Sequence, residues 1–386
     1  MQRRNFIRVM GGSVIVAAGA GTVACSSTVP PEAILPWQGP KAETDLRRWV
    51  LAHAILAPRS HNLQSWVVDL GTPDEILLRC DPTRLLPETD PLARQIMMSH
   101  GTFLELLDIA AHERGLRADI TLFPEGAFGP RKIDARPVAR IRLVADPTVV
   151  KDALFAQIVA RRTNRNAYEP ARAVPTEARR AMAEAVAPHA VRFGFVGAEQ
   201  PTELQRHRAI ASEAWRIELI TPRTIMESFR VLRVGAAEVA RHRDGLTVMD
   251  PKLVWMDRLG LFDRGETPAP DSFATTSQIE DFNAKLASTT SFLWIVSTGN
   301  DRSTQVNAGR AYARVQLTGT AHGVAMQPLS QALQEYPEQA GPYEAIHALL
   351  DAPPQSQTVQ MWARVGFAPP VEPAPRRGLD AHIKRA

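Results

Sequence analysis

Ala57-Pro58-Arg59-Ser60-His61-Asn62-Leu63-Gln64-Ser65-Trp66 is the stretch on which the reading of this chain turns. Before it, Leu46, Trp49, Val50, Ala54 and Ile55 recur at helical spacing. After it, residues 66–70 read as a strand, so a short polar loop is pinned between two buried elements. Loops held in this way present polar groups at fixed positions, and binding residues concentrate on them. Turn chemistry offers a second reading, an ordinary helix-to-strand connection with an Asx turn at Asn62.

Three further stretches bear on the choice. Arg161-Arg162-Thr163-Asn164-Arg165 closes a run, 152–161, with helical spacing. Guanidinium groups are always charged and donate in pairs, and a threonine hydroxyl adds another donor, which is what gripping a phosphate requires. A solvated basic turn complementing a helix C-terminus would use the same residues. Gly323-Val324-Ala325-Met326-Gln327-Pro328 follows a long helical run, 305–322, and reads as a helix stop with a second helix opened by proline. Arg376, Arg377, Lys384 and Arg385 read by default as a solvated basic tail.

Taken together, these stretches resemble the nitroreductase superfamily of FMN-dependent oxidoreductases. Pro58, Ser60, Asn62, Gln64 and Trp66 match its A/S-P-S-S-x-N-x-Q-P-W loop, which lies along the flavin, while Arg59 and Ser65 replace the usual Ser and Pro. Arg161, Arg162, Thr163 and Arg165 are similar to the R-R-S-x-R segment that grips the FMN phosphate and pyrimidine. Gly323 and Val324 resemble the G-L-x-x-x-P turn near flavin N5, and Arg376 and Arg377 a late basic segment that reaches the phosphate.

The resemblance covers residues 44–370 except the stretch 221–272, and is closest to the Acg-like branch, in which two nitroreductase-like halves are fused and a lid covers the flavin. It implies an α+β nitroreductase-like fold, with halves 44–150 and 151–386 forming a pseudo-dimer and a lid inserted near 221–272. FMN would be held by Pro58, Arg59, Ser60, Asn62, Gln64, Arg161, Arg162, Thr163, Arg165, Gly323, Val324, Arg376 and Arg377. The implied activity passes a hydride from NAD(P)H through FMN to an electron-poor acceptor, in a monomer or weak dimer. Because FMN carries that chemistry, no side chain is assigned as catalytic acid or base. Flavin binding without turnover is the alternative, since members of that branch are not reliably active nitroreductases.

The N-terminus reads as a targeting segment, 1–29. Arg3-Arg4-Asn5-Phe6-Ile7 resembles the twin-arginine export motif and precedes a weakly apolar run too short for a stable membrane span. That run closes at Thr22-Val23-Ala24-Cys25-Ser26, similar to a lipoprotein processing box, so the mature protein is expected in the periplasm or anchored to the envelope through Cys25. The proline-rich residues 30–43 read as an extended tether. Only Cys80 remains in the folded part, which leaves no intrachain disulfide and no thiolate metal cluster there. No metal site is expected.

Composition narrows the classes. The 386 residues are 45% hydrophobic and 22% charged, enough for one large or two moderate domains. Net charge is +4, three of it from Arg3, Arg4 and Arg8, and no basic stripe interleaved with aromatics points to nucleic acid. Helices are expected at 44–57, with Thr44 as cap, and at 94–115, 176–186, 202–219 and 305–322. Strands are expected at 66–70, 75–79, 120–123, 138–144, 191–196, 292–297 and 359–365. Gly101 and Gly115 bracket one helix as Gly309 and Gly323 bracket another, an echo that suggests duplication.

Overall fold

A computed structural model describes residues 28–384, so the leader assigned to positions 1–29 lies almost wholly outside the described residues. The stretch expected as an extended tether is folded instead. It forms helix α1 (Pro31–Ile34) and a 3-10 turn (Leu35–Gln38), with Ala33 and Trp37 buried. Pro31 and Pro36 stand in the first turn of each element, where a missing N–H costs nothing.

Helix α2 (Leu46–Ala54) is capped by Asp45 rather than Thr44, the carboxylate accepting from the backbone N–H groups of Arg47 and Arg48. After the loop come β1 (Trp66–Asp69), β2 (Glu75–Cys80), α3 (Arg94–Glu113), β3 (Leu116–Leu122) and β4 (Pro137–Ala145). They form an antiparallel sheet in the order β1-β2-β4-β3. A single 3-10 turn (Ala153–Gln157) stands where a helix was expected over 152–161.

The second half repeats the plan. Helix α4 (Thr176–Glu184) leads into β5 (Val191–Val196), followed by α5 (Pro201–Ile220), α6 (Pro222–Arg230), β6 (Leu232–Val234), α7 (Gly235–His242), β7 (Leu246–Val248), α8 (Pro251–Arg258) and α9 (Phe273–Ala287). Then come β8 (Ser291–Thr298), α10 (Arg302–Ala321), β9 (Ala325–Pro328), α11 (Ala340–Leu349) and β10 (Gln357–Gly366). The second antiparallel sheet runs β5-β8-β10-β9, so each sheet places its strands in the same order, with α3 joining β2 to β3 as α10 joins β8 to β9. The insertion, α5–α9, occupies residues 197–290 and is longer than the 221–272 expected, because its two long flanking helices belong to it. Residues 325–328 form an edge strand rather than opening a helix.

The two halves meet where α3 crosses α10. A Cβ on Gly101 would lie 1.9 Å from the Val306 carbonyl oxygen, and one on Gly309 would lie 2.0 Å from that of Met98. Each glycine meets the residue three positions before the other, which is the self-complementary contact of a two-fold interface built inside one chain. Because the clash is with backbone, it cannot be relieved by a rotamer change. Gly101→Ala is expected to destabilise the fold by about 1–3 kcal/mol or more, read as a lower denaturant midpoint, and Gly309→Ala should match it. A neutral Gly101→Ala would mean that the helices do not cross here.

After β10 the chain returns to the first half. Val68 N–H donates to the His382 carbonyl and Lys384 N–H to that of Val68, both at 2.8 Å, so the tail adds a parallel edge to the first sheet beside β1. The expected solvated tail is therefore docked, with Arg376 buried.

Buried imidazoles give the fold a pH dependence. Burial pushes His100 and His207 down to about 4 and His382 down to about 3. The unfolded chain takes these protons near pH ~6.5, so the stabilisation is complete above that pH and is lost as pH falls toward the folded values. Between pH 7 and 5 the melting temperature should drop, each imidazole costing on the order of 1 kcal/mol per pH unit. Asp90, which burial raises to about 6, and Asp108 and Glu218, which burial also raises, work in the opposite direction but are outnumbered, since burial lowers His53, His61, His189 and His347 as well. A flat profile over that window would mean that the imidazoles are not excluded from water.

Candidate functional site

The loop between α2 and β1 is strained. His61, Asn62 and Gln64 have φ of 46°, 53° and 54°, a left-handed run that costs roughly 1–2 kcal/mol for each non-glycine residue. Such a run persists only if its surroundings over-determine it. The Asn62 amide donates to the Pro375 carbonyl at 3.0 Å and accepts from Arg376 at 2.6 Å. Gln64, fully buried, donates to the Arg243 carbonyl at 2.9 Å and accepts from the Arg377 backbone N–H at 2.9 Å. The Arg377 guanidinium donates to the Gln64 carbonyl, and Gly245 N–H donates to the Asn62 carbonyl at 3.2 Å. At the near end of the loop, Thr102 donates to the Pro58 carbonyl at 2.7 Å, and Arg59 donates to Ser65 Oγ at 2.8 Å.

Three of the expected ligands take part in these contacts. Asn62 and Gln64 each bond peptide groups or arginine at both ends of the amide, and Arg377 fastens the tail to the loop. An amide can donate and accept at once, so it is the group that can lock two backbones together.

The arginines converge on the same place. Arg161, buried, donates to the Leu56 carbonyl at 2.9 Å and to Gln316 Oε1 at 3.3 Å. Arg376, also buried, donates to the Leu56 carbonyl at 3.4 Å and that of Ala57 at 3.2 Å. Arg162 donates to the carbonyls of Val159 and Arg161. Among the described residues, no carboxylate stands near enough to bear on Arg161, Arg162, Arg165 or Arg376. Burial pushes Arg161 down to about 10 and Arg376 well below its usual range, with Arg161 and Arg162 repelling Arg376 further. Burial followed by the Arg376 charge depresses Arg59 as well. Donors remain open: Nε of Arg161 and Arg376, and Nε and Nη1 of Arg59, are buried without a partner.

Around this cluster lie groups that no motif in the sequence marked. The Tyr312 hydroxyl is buried without a partner and feels the charges of Arg161 and Arg165. His61 sits 3.1 Å from Ser60 Oγ and 3.3 Å from Ser228 Oγ, and burial with the Arg165 and Arg59 charges pushes it down to about 4, so it is neutral at pH 7. Ser60 donates to Gln95 Oε1 at 3.3 Å, leaving buried Gln95 Nε2 open. Arg165 keeps an exposed surface although its surroundings are dense enough to depress its pKa by desolvation. Thr163 is half-buried between these arginines.

Gly323 and Val324 join less directly. Gly323 ends α10 at φ 67°, and Val324 is buried in the core under the second sheet beside Met182 and Val365. Their link to the basic motif is the Asn164 N–H, which donates to the Met326 carbonyl at 3.0 Å.

Two proteins from strains of Mycobacterium tuberculosis, each named "Putative NAD(P)H nitroreductase", are 29% identical to this chain over 361 residues, covering 89% of it and 92% of each relative. That full-length likeness supports a place in the nitroreductase superfamily. Among solved structures, the FMN-dependent nitroreductase NfnB of Mycobacterium smegmatis in complex with NADPH is 20% identical, covers 60% of this chain and 96% of its own, and has a TM-score of 0.35. A nitroreductase with bound FMN from Bacteroides fragilis is 13% identical over 57% of this chain and 94% of its own, with a TM-score of 0.33. No protein-family model matches the chain.

Proposed function

We propose that this protein is an Acg-like, FMN-dependent oxidoreductase of the nitroreductase type, exported by the twin-arginine route and processed or acylated at Cys25. The observation that carries the reading is the group of guanidiniums that meet at the strained loop with open donors and no carboxylate. Buried charge without a partner is costly, so such a cluster calls for an anionic ligand, and a phosphate monoester fits its donor chemistry. Arg161, Arg162, Thr163 and Arg376 would hold the phosphate. Arg59, Ser60, Arg165 and Tyr312 would supply donors to the polar edge of the flavin, and the backbone of Pro58 and the Gly323–Val324 turn would flank it. Bound FMN supplies hydride transfer between NAD(P)H and an electron-poor acceptor, and neutral His61 beside Arg165 sets the polarity of the wall it meets.

A second reading, FMN binding without turnover, draws on the insertion. Ser228, Arg243 and Gly245 all engage the loop at His61, Gln64 and Asn62, and Arg84 pairs with Asp244 at 2.5 Å, so the insertion is fastened to the loop that would flank the flavin, which would restrict a nicotinamide's approach. Anaerobic mixing of the flavin-loaded protein with NADH or NADPH separates the two readings. Bleaching of the oxidised flavin band on the time scale of turnover supports the enzyme, and a band that persists supports binding alone. A protein that purifies colourless and takes up no FMN rules out both.

A further inference from the structure

Trp37 belongs to none of the motifs above, yet three guanidiniums gather round its ring. The Cζ atoms of Arg162, Arg376 and Arg161 lie 4.7, 5.1 and 5.4 Å from the indole centroid. The side chain is buried, and its Nε1–H donates to the Ala374 carbonyl at 2.8 Å. One turn earlier, the Ala33 carbonyl accepts from the Arg376 N–H at 2.8 Å. The 31–38 segment is thereby tied to the C-terminal basic stretch by two hydrogen bonds, and the ring joins that stretch to the mid-chain basic motif.

A cluster of like charges needs something negative to hold it together. A carboxylate would do so by cancelling the charge, and with it the affinity for an anion. Backbone carbonyls and an aromatic face differ, because each offers negative potential without a formal charge. Here the carbonyls of Leu56, Ala57 and Pro375 take part of the guanidinium hydrogen bonding, and the Trp37 ring faces all three cations.

We propose that Trp37 is the positioning residue of the anion site: it orients Arg161, Arg162 and Arg376 toward a phosphate while leaving their charge uncompensated. The inference rests on the FMN reading and extends the site to the segment 31–38. Because the three cations round its ring are those assigned to the phosphate, loss of the ring should weaken a ligand that carries the phosphate and spare one that lacks it.

The test uses the full chain, stripped of flavin, with FMN and riboflavin as probes titrated by flavin fluorescence, and the melting temperature of each variant recorded. Trp37→Leu keeps apolar bulk but removes both the π face and the hydrogen bond to Ala374, whereas Trp37→Phe removes the hydrogen bond and keeps a ring. It should weaken FMN about ten- to a hundred-fold, as expected for lost cation–π contacts to several buried guanidiniums, with riboflavin binding within about two-fold of wild type. Trp37→Phe retains a smaller ring and should fall between, losing about three-fold for FMN alone. If Trp37→Leu does not fold, the FMN-selective loss in Trp37→Phe decides the question. A loss shared equally by both flavins reduces Trp37 to a packing residue and overturns the proposal, as does unchanged FMN affinity in Trp37→Leu. Either result leaves the FMN reading standing, whereas a wild-type protein that binds neither flavin overturns both.

Discussion

Replacing Arg161 and Arg165 together with alanine is expected to lower FMN affinity by about a hundred- to ten-thousand-fold. Each charge-assisted hydrogen bond to a phosphate or pyrimidine oxygen is worth about 1.5–3 kcal/mol, and two are removed at roughly 1.4 kcal/mol per decade. The apo fold should tolerate the change better than a typical loss of buried hydrogen bonds. Arg161 donates to Leu56 and Gln316, but it is also an unneutralised buried cation repelled by its neighbours, so its removal relieves one cost while it imposes another. Arg165 is exposed, so Arg165→Ala alone serves as a nearly fold-neutral control that should still weaken binding. Equilibrium titration with FMN gives the affinity, and calorimetry or a thermal scan shows whether the apo protein is intact. If the double variant purifies with a full complement of flavin, the guanidiniums hold something other than the phosphate.

The same arginines show what could be read from the chain before it was folded. The helix Arg94–Glu113 was legible from apolar spacing and a glycine stop, although it is buried nearly all round, and the strand Val191–Val196 from its apolar run, although only Val196 is fully buried. An echo between the halves was visible in the paired glycines, and the structure gives them two reasons: Gly101 and Gly309 are where two backbones touch, while Gly115 and Gly323 follow their helices at φ 66° and 67°. Other features were hidden because they depend on partners distant in sequence. Proline density around residues 30–40 suggested a tether, and nothing local reveals that Trp37 meets arginines more than a hundred residues away. Pro328 suggested a helix start, yet it closes β9 at the edge of a sheet, one of the few strand positions where a missing N–H is tolerated. Asn62 and Gln64 were legible as important but not as to what they touch. Whether an amide faces a cofactor or locks a tail depends on where the last residues of the chain return, which no local pattern carries.

One chain is expected to bind one FMN, as a monomer. The crossing glycines relate the two halves, so each group at the site has a counterpart at the symmetry-related position. Gln316, which meets Arg161 seven residues beyond Gly309, corresponds to Asp108, seven beyond Gly101. Tyr312, three beyond Gly309, corresponds to Leu104, which offers no donor. Around Asp108 the charges are already paired: Arg310 meets Glu105 and Asp108 at 2.7 Å each, and Arg314 meets Glu105 and Asp152 at 2.9 Å each. His189 stands 3.7 Å from Glu105, but burial lowers its pKa, which favours the neutral form at pH 7. Glu105, Asp108 and Asp152 surround both guanidiniums, with His112 3.5 Å from Asp108, so an incoming phosphate would lose its hydration and meet cations already paired with carboxylates. Among the described residues, the strained loop and the guanidiniums without a carboxylate therefore stand at one of the two related positions, assembled from both halves, and the expectation of a monomer rests on that. Denaturing the pure, flavin-saturated protein and measuring released FMN against chain concentration gives the stoichiometry, with size-exclusion chromatography of the same sample giving the state. A ratio near one in a monomer is the expected result. A ratio near two would mean that the Glu105–Arg310 network opens to admit a second phosphate, and flavin retained only in a dimer would mean that the site is completed between chains.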